Sequence, residues 1–187
     1  SFTEIIGKLK QSKEYVELFE EAYGMDGRNT LSTYSLNDAM ASYVASLSSF
    51  NSPFDKYMRQ EIGTIDLNVH KGFTLFMGKG ACGTCHFAPT FNGTVPPRFE
   101  ESETEILGVP KTKDNKELDV DMGRYASGRP IDKAPFYQFS FRTPTVRNIE
   151  LTAPYMHNGV YETLEEVMDF YNKGGGAGMG IEVPHQT

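Results

Sequence analysis

Both cysteines of this 187-residue chain fall in one short run, Ala81-Cys82-Gly83-Thr84-Cys85-His86. Two thiols separated by two residues suit three chemistries. A redox dithiol needs a βαβ setting, and no such pattern precedes Cys82. A zinc site needs two more ligands at suitable spacing, and His70, His157 and His185 are scattered. The third chemistry uses the histidine that follows directly. In Cys-x-x-Cys-His each thiol adds across a haem vinyl group to form a thioether, and His86 then points an imidazole nitrogen at the iron as its proximal ligand.

The elements around this run must deliver it to a flat apolar cofactor. Asp66 to Met77 reads as the helix leading in, with Val69, Phe73 and Phe76 on one face. His70 sits among polar neighbours and reads as exposed or capping. Gly78, Gly80 and Gly83 let the backbone approach the macrocycle. Upstream, residues 2–23 read as helical, with Ser12 capping a second stretch from Lys13 and Gly24 ending it. Met25 to Thr33 reads as loop. Ser35 is the expected cap of the next helix, with Asp38 three residues on. Its Leu36, Ala39, Met40, Tyr43, Val44 and Leu47 form a stripe expected to face a core. Phe54, Tyr57 and Met58 make a short apolar turn.

Residues 87–141 carry many turn formers and little periodicity. So long an irregular stretch is usually functional, and in a haem protein it wraps the cofactor edge. Phe87, Phe91, Phe99, Tyr125, Phe136, Tyr137, Phe139 and Phe141 could line a pocket, although each alone also suits a plain core. Arg124, Arg142 and Arg147 are candidates to hold haem propionates, because guanidinium pairs well with carboxylates. Thr163 and Glu166 read as a capping box opening a helix to about Asn172, with Leu164, Val167, Met168 and Tyr171 on one face. Gly174, Gly175 and Gly176 end it. The tail beyond lacks helical periodicity, and no closing C-terminal helix is visible.

The net charge of −7 argues against nucleic acid and anionic membranes and suits a basic protein partner. No run of 18 apolar residues is present to span a bilayer. The chain starts at Ser1 rather than Met, which reads as a processed or trimmed protein. Thioether attachment of haem implies export, hence a periplasmic location.

The run FRTPTVRNIELTAPYMHNG over residues 141–159, followed by TLEE over 163–166, resembles the bacterial di-haem cytochrome c peroxidase and MauG family. NSPFDKY over 51–57 and DMGRY over 121–125 are similar to it too, so the resemblance covers nearly the whole chain. It implies an all-α, cytochrome c-like haem domain with long irregular loops over residues 61–187 and a helical lead-in over 1–60 packing on it. It implies a haem-dependent oxidoreductase: the C-terminal, electron-transferring haem domain of an enzyme that reduces hydrogen peroxide. The partners would be a missing N-terminal haem domain and a small redox protein as electron donor. The alternative is a stand-alone mono-haem electron carrier without peroxidase activity.

The resemblance also assigns residues. The family's distal iron ligand lies on the helix after TLEE, Met in some members and Tyr in others. The matching position is Tyr171, with Met168 next and Met156 third. Periodicity alone reads Tyr171 as a core aromatic. The family binds calcium partly through backbone carbonyls, which here are those of Thr152 and Pro154. His157 is placed near the haem, as a hydrogen-bonding residue or a satisfied structural histidine.

Overall fold

The computed structural model describes residues 1–24 and 30–187. Met25 to Asn29, part of the expected loop, lie outside the described residues. The chain divides into two compact units, Ser1–Thr64 and Ile65–Thr187.

The first unit is helical: α1 Phe2–Leu9, α2 Lys13–Tyr23, α3 Thr33–Ser46 and α4 Pro53–Met58. Ser12 stands at the N-terminus of α2, but its hydroxyl makes no capping bond; Gly24 ends the helix at φ 81°. The cap of α3 is Ser32, not Ser35. Ser32 accepts from the Ser35 amide at 3.1 Å, and the Ser35 hydroxyl accepts from the Ser32 amide at 3.0 Å. Ser35 is therefore the third residue of a reciprocal cap and is buried. Asp38 instead accepts a hydrogen bond from the Tyr23 hydroxyl at 3.0 Å, tying α3 to α2. In α4, Ser52 and Asp55 make a second reciprocal cap, with proline in the first turn.

The apolar stripe of α3 does not face a core. Met40, Tyr43, Val44 and Leu47 are all exposed and Leu36 and Ala39 are half-buried; among the described residues of this unit the buried apolar side chains are Phe19 and Leu31. Periodicity set which residues share a face; it did not supply anything to cover them.

In the second unit, α5 spans Leu67–Met77, and Asp66 caps it through the Asn68 and Val69 amides. His70 is exposed, as expected. The chain then folds back on the end of α5. A Cβ at Gly78 or Gly80 would sit 2.7 or 2.9 Å from the Thr74 or Leu75 carbonyl oxygen, and one at Gly83 would sit 2.6 Å from the Met77 sulfur. A long irregular stretch follows, interrupted by short 3-10 turns and by β1 Thr104–Glu105, which pairs antiparallel with β2 Phe141–Arg142. That small sheet departs from the all-α expectation, although the chain is helix-rich. Strands of two residues leave no alternation to read.

α6 spans Leu164–Asn172, and α7 is a single turn, Gly175–Gly178. Thr163 caps α6 through the Glu166 amide, while the Glu166 carboxylate accepts from the Glu162 amide one residue outside the expected box. The buried face of α6 also differs from the expected one. Phe170 is 1% exposed and packs with Val109, Tyr155 and Tyr161, flanked by Leu164 and Val167. Met168 and Tyr171 turn away from that cluster and are 57% and 44% exposed. The glycine-rich tail is not loose. Gly175 and Gly176 are buried against the 107–108 backbone, and the Thr187 hydroxyl accepts from the Ile106 amide at 2.9 Å.

Candidate functional site

Cys82, Gly83 and Thr84 form one 3-10 turn at the end of α5, entered through Ala81 at φ 54°. The Thr84 hydroxyl donates to the Ala81 carbonyl at 2.6 Å, and the His86 amide donates to that of Cys82 at 2.9 Å. Both cysteines are free thiols, half-buried. Burial pushes the Cys85 thiol above its ordinary value, with the Glu105 and Glu103 carboxylates adding to it and the Thr84 hydroxyl opposing.

His86 is held from one side. Its Nδ1 lies 3.0 Å from the Pro144 carbonyl oxygen and 3.2 Å from that of Phe91. Two acceptors fix the proton on Nδ1, which leaves Nε2 with its lone pair and no hydrogen-bond partner among the described residues. Behind the imidazole lies an aromatic bed. Phe76 of α5 is 6.3 Å from the His86 ring, and Phe91 stands edge-on to Phe76 at 5.8 Å and to Phe73 at 6.5 Å. The segment after Pro144 closes the loop. The Thr145 hydroxyl donates to the Thr90 carbonyl at 2.7 Å, and Arg147 donates to that of Pro89 at 3.0 and 2.6 Å.

Tyr171 lies near the end of α6, its ring 5.6 Å from that of Phe170. Burial is the first cause that raises its phenol pKa; the Cys85 and Cys82 thiols and the Glu105 carboxylate follow. So Tyr171 lies within electrostatic reach of both thiols, although 44% of the residue is exposed. Met168 is one turn away on the more exposed side, and Met156 packs against the Val109–Phe170 core cluster.

The remaining candidates have other partners. Arg124 donates to Asp132 Oδ1 at 2.8 Å and lies 3.8 Å over the Tyr137 ring. Arg142 is exposed on β2. His157 stacks on Phe141 at 3.7 Å, and its Nε2 is 3.3 Å from Asp119 Oδ1. Asn158 donates to the other Asp119 oxygen at 3.1 Å. Against the cost of its burial, Asp119 is held below its ordinary pKa by hydrogen bonds from the Asp121 amide, Asn158 and His157. Pro154 follows Ala153 through a cis peptide bond, and Thr152 follows the 3-10 turn Ile149–Leu151. Among the described residues no cluster of three or more acidic, histidine or cysteine side chains gathers to hold a metal ion.

Sequence reasoning missed the two carbonyls that orient His86, because any residue supplies a carbonyl. It also missed Asp132, which is fully buried and receives bonds from Arg124, Arg129 and Ser127. The Arg129–Asp132 spacing was its only visible signal. The donor set as a whole fits a covalently held haem. It offers two free thiols on one turn and an imidazole pinned through Nδ1 with Nε2 open.

The model of the family described as di-haem cytochrome c peroxidase matches residues 1–62. The cytochrome-c peroxidase IdrP2 of Denitromonas iodatirespirans is 33% identical over 188 residues, covering 91% of this chain and 48% of that protein. The methylamine utilization protein MauG of Methylorubrum extorquens is 29% identical over 171 residues, covering 91% of this chain and 43% of that one. Among solved structures, a MauG-like protein associated with microbial copper homeostasis superposes with a TM-score of 0.71 at 27% identity, covering 92% of this chain and 49% of that one. This chain thus spans about half the length of the curated relatives it matches. With the haem-attachment run, the 141–166 segment and these relatives in agreement, the chain belongs to the di-haem cytochrome c peroxidase and MauG family.

Proposed function

We propose that this chain is the C-terminal, electron-transferring haem domain of a di-haem peroxidase or MauG-like enzyme that reduces hydrogen peroxide. Haem c would be attached through Cys82 and Cys85 and ligated by His86 and Tyr171. When bound, the group supplies one-electron redox chemistry at iron. The observation that carries the reading is the imidazole of His86, whose Nδ1 is occupied by the Pro144 and Phe91 carbonyls while Nε2 stays open. The two acceptors orient the ring and make the open nitrogen a stronger donor.

Tyr171 is preferred to Met168 and Met156 as the distal ligand because it holds the position that matches the family's ligand on the helix after TLEE. A tyrosinate oxygen is hard and anionic, so it favours higher iron oxidation states, whereas a thioether favours the ferrous state. This site would store oxidising equivalents better than it would serve as a high-potential carrier. Arg142, exposed on β2, is the best placed of the three candidate arginines to meet a propionate; Arg124 is committed to Asp132 and Arg147 to the Pro89 carbonyl. His157 supports the 141–161 segment through Asp119 and Phe141. Calcium would rest on the Thr152 and Pro154 carbonyl oxygens with ligands from elsewhere. The partners are an N-terminal haem domain, where peroxide would react, and a small redox protein as donor; the setting is periplasmic. No helix among the described residues is long and apolar enough to cross a membrane.

Alkaline pyridine haemochrome absorption on chain produced with haem-attachment machinery tests the reading. A c-type band that Cys82→Ala and Cys85→Ala together abolish is the expected result. Absence of the band from the unsubstituted chain would overturn the reading. The alternative, a stand-alone mono-haem carrier, predicts reversible one-electron titration at high potential, which Tyr171 ligation opposes.

A further inference from the structure

On α3 of the first unit, Met40, Tyr43, Val44 and Leu47 are 59 to 66% exposed. They fall at i, i+3, i+4 and i+7, so they share one side of the helix. The helix has 14 residues and one charge, Asp38, and that carboxylate already accepts from the Tyr23 hydroxyl at 3.0 Å. A helix face that stays in water normally carries charge, and a contiguous apolar stripe marks a face that meets something.

A groove adjoins the stripe. Leu18, Phe19 and Ala22 of α2 and Ala39 and Ser42 of α3 line an open space of about 460 Å³, bridged by the Tyr23–Asp38 hydrogen bond. A groove between two helices, continued by an apolar stripe, is the receiving half of a helix-in-groove contact. Away from the groove α2 carries Glu14, Glu17, Glu20 and Glu21 against the single cation Lys13, so its flank is acidic. The comparisons indicate the occupant. The stretch matched by the di-haem cytochrome c peroxidase model, residues 1–62, coincides with this unit, Ser1–Thr64. The curated relatives that align with 91% of this chain do so over only 48% and 43% of their own length. The rest of such an enzyme is the partner that an uncovered face on this unit lacks.

We propose that the α2–α3 groove and the α3 stripe are the docking surface for the N-terminal domain of the full-length enzyme, received as one amphipathic helix. The apolar residues of that helix recur every three or four positions, and Lys or Arg flank them to meet the glutamates of α2. This rests on the reading of the chain as the C-terminal part of a longer di-haem enzyme. It gives the first unit a role of its own: the unit joins the N-terminal domain rather than only leading into the attachment turn.

The test compares thermal melts of this chain and of the full-length enzyme that includes the N-terminal domain. Val44→Glu puts a charge in the middle of the stripe. Ala45→Glu puts the same charge one residue on, at an exposed position on another side of α3. In this chain both variants should melt like the unsubstituted protein, because both positions face water. In the full-length enzyme Val44→Glu should lower the melting temperature by several degrees, while Ala45→Glu leaves it unchanged. Equal melts of the two variants in the full-length enzyme overturn the proposal. A chain that sediments as a dimer, and as a monomer with Val44→Glu, overturns it in favour of a second copy. A monomeric chain that Val44→Glu alone destabilises overturns it too, since the face is then covered from within the chain. The haemochrome band is read on the same samples. A band with equal melts removes this docking surface and leaves the haem reading standing; no band with separated melts removes the haem reading and leaves the surface.

Discussion

His86 Nδ1 lies 3.0 Å from the carbonyl oxygen of Pro144, 58 residues along the chain. The distance joins the attachment turn to the segment FRTPTVRN, which opens the run that resembles the family. That segment thereby acquires a physical role, since it fixes the tautomer and plane of the imidazole. Thr145 and Arg147 hold it to the loop that follows His86, through the Thr90 and Pro89 carbonyls.

Arg147→Ala is therefore expected to loosen the 87–92 loop, whose Phe91 carbonyl also faces His86. Hydrogen bonds from a charged donor contribute about 1.5–3 kcal/mol, and partial solvent access places this one toward the lower end. The melting temperature should fall by several degrees. Arg147→Lys should restore it only in part, because an ammonium cannot reproduce the fork over Pro89 and the contact with Phe91. An unchanged melting temperature in Arg147→Ala would show that the loop is held by other means.

Asp132 makes a second prediction, in pH. The Arg129 guanidinium, the Ser127 hydroxyl and Arg124 hold its carboxyl well below the usual range. An unfolded aspartate titrates near pH 3.9. The folded value lies lower, so the stabilisation is fully present above about pH 4 and is lost as pH falls further, toward the folded value. Asp132→Asn should melt lower than the parent at pH 7. Between about pH 4 and 2 it should lose less stability than the parent, because it has no carboxylate left to protonate. Thermal melts across that range measure both slopes; parallel slopes would remove Asp132 from the acid response.

How much of this was legible in the sequence depends on the kind of signal. The attachment motif and α5 were readable because residue types and spacing carry them. The start of α3 was misread by three residues because Ser32, Thr33 and Ser35 are all acceptable caps, and only the fold chooses among them. The exposed stripe of Met40, Tyr43, Val44 and Leu47 was read as core because period alone cannot report what lies opposite. On α6 the sequence reading passed over Phe170. The face it drew through Leu164, Val167, Met168 and Tyr171 is split in the fold, with Leu164 and Val167 toward the core and Met168 and Tyr171 exposed. The carbonyls facing His86 carried no residue-type signal.

The glycines offer a contrast that sequence cannot rank. A Cβ at Gly176 would lie 2.0 Å from the Gly108 carbonyl oxygen, so backbone must move to admit it. Gly176→Ala is expected to cost about 1–3 kcal/mol or more by overpacking. Gly7 lies inside α1 with nothing within 4 Å of its added Cβ. Gly7→Ala should stabilise by about 0.5–1 kcal/mol, since alanine loses less backbone entropy in a helix. Denaturant titration of the two variants gives both signs, and a neutral Gly176→Ala would mean that the 107–108 and 175–176 backbones do not cross this closely.

The choice of distal ligand divides Tyr171 from Met168 by one helical turn. Met168 is 57% exposed and Tyr171 44%. If the phenolate binds iron, Tyr171→Phe removes a hard anionic donor. The ferric absorption spectrum should change, and the midpoint potential should rise because the oxidised state loses its preferred ligand. Met168→Leu keeps volume and polarity close to the original and should leave both unchanged. Spectroelectrochemical titration of the two variants separates the cases. A shift in Met168→Leu with none in Tyr171→Phe would assign the ligand to the thioether, and the site would then suit electron carriage at high potential rather than storage of oxidising equivalents.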